Sequence, residues 1–117
     1  MTFKGISRVF LTENETQYNT IGAFWDELGE KYGRSKLRGL GYNWTPTTIE
    51  YVIGWKEGDI PEDDCCVELP DEGWIVVNGK TKDLGKIYEE IYRDGILSYE
   101  IETFADDGNC KSWYLRG

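Results

Sequence analysis

The sequence predicts an α+β fold in which a β-α-β-β unit occurs twice, the two copies forming one pseudo-two-fold antiparallel sheet with two helices and a groove between them. Three observations predict it. Short apolar segments separated by turn residues read as strands. Two stretches carry apolar residues at i, i+3, i+4 and i+7, which places those residues on one face of a helix. The two stretches are also copies of each other: Ile21-Gly22-Ala23-Phe24-Trp25-Asp26-Glu27-Leu28 is echoed 63 residues later by Leu84-Gly85-Lys86-Ile87-Tyr88-Glu89-Glu90-Ile91. Similarity at a fixed offset marks a repeated structural unit.

In chain order, Phe3 to Leu11 reads as the first strand. The first helix follows, with Thr20 suited to cap its start, Tyr32 extending its apolar stripe, and Gly33 where a left-handed residue ends a helix. Two strands come next, Leu37 to Trp44 and Ile49 to Trp55, joined by the turn Thr45-Pro46-Thr47-Thr48. The acidic stretch Lys56 to Asp64 links the copies, and Cys66 to Leu69 adds a short extra strand. The second copy opens with Gly73 to Asn78, then the second helix, with Thr81 or Asp83 as its cap and Gly95 beyond its end. Leu97 to Phe104 and Lys111 to Leu115 complete it, separated by Asp106-Asp107-Gly108-Asn109, which has the composition of a hairpin loop. Each copy alone, about 1–56 and 65–117, would expose one sheet face and one helix stripe. The expectation is therefore a single domain spanning 1–117, with its pocket in the groove between the copies.

Composition narrows the function. With 117 residues, 39% hydrophobic and 15% aromatic, the chain can bury one modest core and has no room for a second domain. Asp and Glu number 22 against 13 Lys and Arg, a formal charge of −9 that repels phosphate backbones, so direct nucleic-acid binding is not expected. No apolar run approaches the roughly 20 residues that span a bilayer, and the N-terminus lacks the pattern of a secretory signal. The expected location is the cytoplasm, with no membrane association. Histidine is absent, which removes the usual general base and the commonest transition-metal ligand. Cys65, Cys66 and Cys110 read as reduced structural thiols, because adjacent cysteines lack the spacing of a zinc site. The run Glu62-Asp63-Asp64 reads as a solvated loop rather than a calcium loop. Asn14-Glu15-Thr16 and Asn43-Trp44-Thr45 match a glycosylation pattern by chance. No cofactor, metal or catalytic residue is expected, and oligomeric state is left open.

The residues that point to chemistry are carboxylates among aromatics. In a strand, side chains alternate, so Glu100, Glu102 and Phe104 share one face and Tyr99, Ile101 and Thr103 the other. A carboxylate away from water needs a cation or a donor, and aromatic faces attract cations by roughly 0.5–2 kcal/mol each. Such a row either selects flat cationic ligands or faces solvent on an outer strand face. Glu50, alone among apolar neighbours in its strand, carries the same two readings. Trp25, Trp44, Trp55, Trp74 and Trp113 are pocket candidates, with core packing the alternative for each. Trp25 and Tyr88 hold equivalent helix positions, so both are expected to face the groove. Tyr42, Tyr51, Tyr92 and Tyr114 are weaker choices.

The chain resembles the GyrI-like effector-binding family, found behind the DNA-binding part of some AraC and MerR type regulators and also alone. The resemblance rests on Phe3-Lys4-Gly5-Ile6-Ser7, the helix Ile21 to Leu28, Ile49 to Trp55, Glu68-Leu69-Pro70-Asp71-Glu72-Gly73-Trp74, Val76 to Lys80 and Ile87 to Tyr92. It implies two pseudo-symmetric halves enclosing a groove for hydrophobic cations and drugs, with a glutamate on the strand after the second helix. A carboxylate followed two residues later by an aromatic fits Glu102 with Phe104. Glu100, two residues earlier, departs from that pattern and leaves the register open. The family's stand-alone bacterial members include drug-binding proteins of integron cassettes, gyrase inhibitors and hydrolases of strained rings. The expected function is therefore binding of a small cationic or amphipathic aromatic compound, with Glu102, Glu50, Phe104, Trp25, Tyr88, Trp44, Tyr51, Trp74 and Trp113 as ligand contacts. Its setting would be drug sequestration or transcription regulation. The alternatives are hydrolysis of a strained-ring electrophile in the same pocket, and docking of the acidic surface onto a topoisomerase or a separate DNA-binding regulator.

Overall fold

The computed structural model describes residues 2–13, 17–55, 65–93 and 97–116. The acidic link Lys56 to Asp64 with its run Glu62-Asp63-Asp64, the position of Gly95, the Asn14-Glu15-Thr16 pattern and the side chain of Tyr92 lie outside the described residues. The elements in order are β1 (Thr2–Leu11), α1 (Gln17–Tyr32), β2 (Leu37–Tyr42), β3 (Thr48–Trp55), β4 (Cys65–Glu68), β5 (Ile75–Lys80), α2 (Leu84–Arg93), β6 (Leu97–Phe104) and β7 (Asn109–Arg116). Short 3-10 turns, Arg34–Lys36 and Thr81–Asp83, lead into β2 and α2. The fold is α+β: seven strands make one open antiparallel sheet in the order β4-β1-β3-β2-β6-β7-β5.

Alternation along the strands sorts side chains between the two faces of this sheet. On one face both helices pack. Phe24, Trp25 and Leu28 of α1 and Leu84 and Ile87 of α2 meet Leu37, Tyr51, Ile53, Phe104 and Cys110 from the strands. This is the i, i+3, i+4 stripe of each helix burying its apolar side, the main source of helix stability in a folded chain. On the other face Phe3, Leu40, Val52, Leu69 and Ile101 form a second cluster, flanked by Tyr42, Tyr99, Trp74 and Trp113, with no helical residue in it. The segment between β4 and β5 partly covers this side through Leu69 and Trp74.

Several boundaries differ from the sequence expectation for identifiable reasons. Strand β2 stops at Tyr42, not Trp44, because Asn43 takes a φ of 50°, a left-handed conformation that breaks the ladder. The turn that follows is held by Thr45, whose Oγ1 accepts the backbone N–H groups of Thr47 and Thr48 at 3.2 and 2.9 Å. Strand β5 starts at Ile75, since Gly73 has a φ of 92°. Helix α1 starts at Gln17, so Thr20 sits inside it and reaches back to the Gln17 carbonyl at 3.5 Å instead of capping. Gly33 has the expected positive φ, 92°. Among the described residues no helix is long and apolar enough to cross a membrane.

Candidate functional site

The centre of the sheet is unusual in lacking side chains where the helices cover it. Gly39 and Gly41 of β2 point to the helix face and pair across the sheet with Glu102 and Glu100 of β6. The space left beside these carboxylates opens into a cavity of about 620 Å³. Its floor is Gly41, Ile49, Tyr51, Glu100, Glu102 and Phe104, and α1 and α2 form its walls. Ile21, Gly22 and Trp25 line it from α1, and Leu84, Gly85 and Tyr88 from α2; these are three pairs of positions 63 residues apart. Gly22 and Gly85 keep both walls open, since a Cβ at either would meet nothing within 4 Å.

Glu102 is the organising group. It is 4% exposed, and a carboxylate so buried is costly unless donors meet it. Two phenols do so. The Tyr51 hydroxyl donates to Oε1 and the Tyr88 hydroxyl to Oε2. Tyr51 is itself positioned by the Trp25 indole, whose Nε1–H donates to the Tyr51 oxygen at 2.8 Å. Gly39 makes this chain possible: a Cβ there would lie 2.1 Å from the Tyr51 hydroxyl and 2.9 Å from the Trp25 ring. Burial raises the Glu102 carboxyl above its ordinary range, opposed by the bonds from Tyr51, Tyr88 and Trp25 and by the positive charge of Arg34. Burial, together with Glu102, holds both phenols well above their usual range, so they remain protonated donors at neutral pH.

Arg34 is the cation of the cavity lining. Its guanidinium lies 4.5 Å from the Phe104 ring centroid and 5.7 Å from that of Trp25, and it reaches Asp26 at 3.6 Å. Phe104 also meets Trp25 edge to face at 4.9 Å. The aromatic surface of Phe104 is thus engaged by the protein's own residues.

The expected site residues divide between the faces. Glu102, Phe104, Trp25, Tyr88, Trp44 and Tyr51 stand together around the helix-side cavity, and Glu100 joins Glu102 there, 5% exposed. Three do not belong with them. Glu50 projects from the opposite face of β3, where Asn43 Nδ2 donates to it at 3.4 Å and Tyr42 lies beside it, because the residue after Ile49 must turn away from the helices. Trp74 and Trp113 also lie on that far side. Trp55 packs edge to face on Tyr32 at 6.0 Å in the helix-side core. Sequence reasoning missed Gly39, Gly41 and Arg34. Two glycines two apart within a strand, Gly39-Leu40-Gly41, are the available signal for the first pair, since they clear one face for close approach. Nothing in the sequence places Arg34 over Phe104.

Among the described residues no group of three or more Cys, Asp or Glu side chains is gathered as a metal site. Comparison with protein-family models, with curated proteins and with solved structures found no match to this chain.

Proposed function

We propose that this chain forms an effector-binding domain of the GyrI-like kind that takes a cationic, amphipathic aromatic molecule into the helix-side cavity. The observation that carries this reading is the pair of buried carboxylates, Glu100 and Glu102, on the floor of an aromatic-walled cavity. A volume of about 620 Å³ suits a drug-sized ligand. Among the described residues of the lining, Glu89, Glu100 and Glu102 are the carboxylates and Arg34 is the cation, a balance that favours a positively charged ligand. The duplicated, pseudo-two-fold reading of the fold supports the same site. The strand orders β1-β3-β2 and β5-β7-β6 correspond, and the positions 63 apart on the two helices meet at the cavity.

Titration of tryptophan emission with rhodamine, acridine and quaternary-ammonium compounds tests it, because Trp25 and Trp44 line the cavity. The expected outcome is saturable quenching. Glu102→Gln is expected to weaken cationic binders about tenfold or more, as loss of a charged partner does, and to spare neutral analogues. Unchanged emission throughout the panel up to high-micromolar concentration overturns the reading.

A second reading is favoured by one observation, the contact of Glu102 with two protonated phenols. A carboxyl raised by burial next to a phenolic donor is equipped for general acid-base hydrolysis of a strained-ring electrophile. Turnover beyond one equivalent per chain, followed by chromatography, favours it; a single equivalent or none rejects it.

A further inference from the structure

The far face of the sheet holds a second cavity, of about 520 Å³, that the proposed function does not use. Among the described residues its lining has an arginine against aromatic side chains and one carboxylate, Asp71, where the helix-side lining has three. Arg38 of β2 stands beside Thr103 of β6, and Thr103 pairs in turn with Lys111 of β7, so two cations flank one hydroxyl in a single row across the sheet. The Arg38 guanidinium carbon lies over Phe3, 4.3 Å from the ring centroid. Its Nη2 donates to the Thr2 carbonyl at a long 3.4 Å, and its Nε is buried with no hydrogen-bond partner. A guanidinium has five N–H donors matched to the geometry of a carboxylate, and among the described residues no carboxylate is paired with this one. Beside it are Trp74, Trp113 and Ile101. Trp74 is held in place by its own Nε1–H, which donates to the Pro70 carbonyl at 2.8 Å, and Lys111 Nζ sits 5.0 Å from the Trp113 ring centroid. The lining also holds the exposed Asp71, so Arg38 is where the negative charge of a ligand is favoured in this cavity.

We propose that this cavity binds a planar aromatic monocarboxylate, its ring against Trp74, Trp113 and Ile101 and its carboxylate on the Arg38 guanidinium and the Thr103 hydroxyl. The site is separate from the helix-side cavity and does not rest on the function proposed for it. Two tryptophans that the sequence marks as ligand contacts are thereby assigned to a ligand of the other charge.

The test uses 2-naphthoate as the probe, with 2-naphthamide as its neutral isostere and naphthalene-2,6-dicarboxylate as the dianion. Binding is followed by calorimetry and by the indole N–H signals in nitrogen-15 NMR spectra, with Trp74 and Trp113 assigned through Trp74→Phe and Trp113→Phe. The expected result is that 2-naphthoate shifts the signals of Trp74 and Trp113 and leaves Trp25 unmoved. It should bind about tenfold or more tightly than the amide, in keeping with a charge-assisted bond, and more tightly than the dianion. Arg38→Gln should abolish that preference, Arg38→Lys retain part of it, and Glu102→Gln leave it unchanged. Equal affinity for acid and amide overturns the proposal, as do shifts centred on Trp25 or no binding at millimolar probe. The wild-type measurements decide the matter even where an Arg38 variant fails to fold.

Discussion

The two faces of the sheet solve the problem of buried charge in opposite ways. Under the helices, Glu102 has both oxygens met by phenols that are themselves aligned, Tyr51 by Trp25 and by the gap at Gly39. On the far face, Arg38 is only half-buried and has a ring beneath it, one long bond and an unpartnered Nε. The difference teaches that a charged group can be pre-organised by a completed donor set or merely oriented by packing. Completion is the costlier arrangement to disturb, because a buried group that loses its partner bears its full desolvation cost.

The largest expected effect comes from filling the gap on the helix side. Gly39→Ala should destabilise the protein by about 1–3 kcal/mol in urea unfolding, as overpacking of a tight core does. It should also separate Tyr51 from Glu102, seen as loss of cationic-ligand affinity with naphthoate binding retained. Full retention of cationic binding would mean that the Trp25-Tyr51-Glu102 chain does not organise the cavity.

A smaller effect is expected from pH, and it arises on the helix side, at Glu102. Burial raises the folded-state carboxyl of Glu102. The folded protein therefore holds its proton more tightly than the unfolded chain does. The associated stability is fully present below the unfolded carboxyl range, near about 4.3, and is lost as pH rises through the raised folded value. Glu102→Gln, which does not ionise, should gain stability relative to wild type across that rise. Parallel stability-pH curves for the two proteins would contradict the assignment.

The smallest change expected is a gain. Gly22→Ala and Gly85→Ala replace helix glycines whose Cβ would enter open space, so each should stabilise by about 0.5–1 kcal/mol through helix propensity. Both narrow the helix-side cavity, so bulky cations should bind less tightly while the far-side site is unaffected. A loss of stability at either position would show that these glycines serve the packing of the walls.

The strands and helices were legible because their signals are local. Leu97–Phe104 runs over the expected residues, and both helices carry the expected stripes. Alternation also correctly grouped Glu100 with Glu102 and Phe104. What alternation cannot provide is which face the helices cover, because that depends on strand pairings far apart in sequence. Hence Glu50, Trp74 and Trp113 were grouped with Glu102 although they lie across the sheet from it. Glu50 follows Ile49 and precedes Tyr51 in β3, so once Tyr51 faces the helices Glu50 must face away. The roles of Gly39 and Arg34 were hidden for a related reason: one is defined by a side chain it lacks, the other by a ring reached only after the chain folds back.

The bond from Tyr51 to Glu102 joins residues 51 apart across the central seam where β2 meets β6. Neither β1-β3-β2 nor β5-β7-β6 contains the site alone, so it exists only while that seam is closed. A molecule held there spans the seam, and bound at a hundred times its dissociation constant it would oppose opening by about 2.7 kcal/mol. Were a ligand to bind there, the cavity would also be a clasp, its occupant opposing any parting of the molecule along its middle.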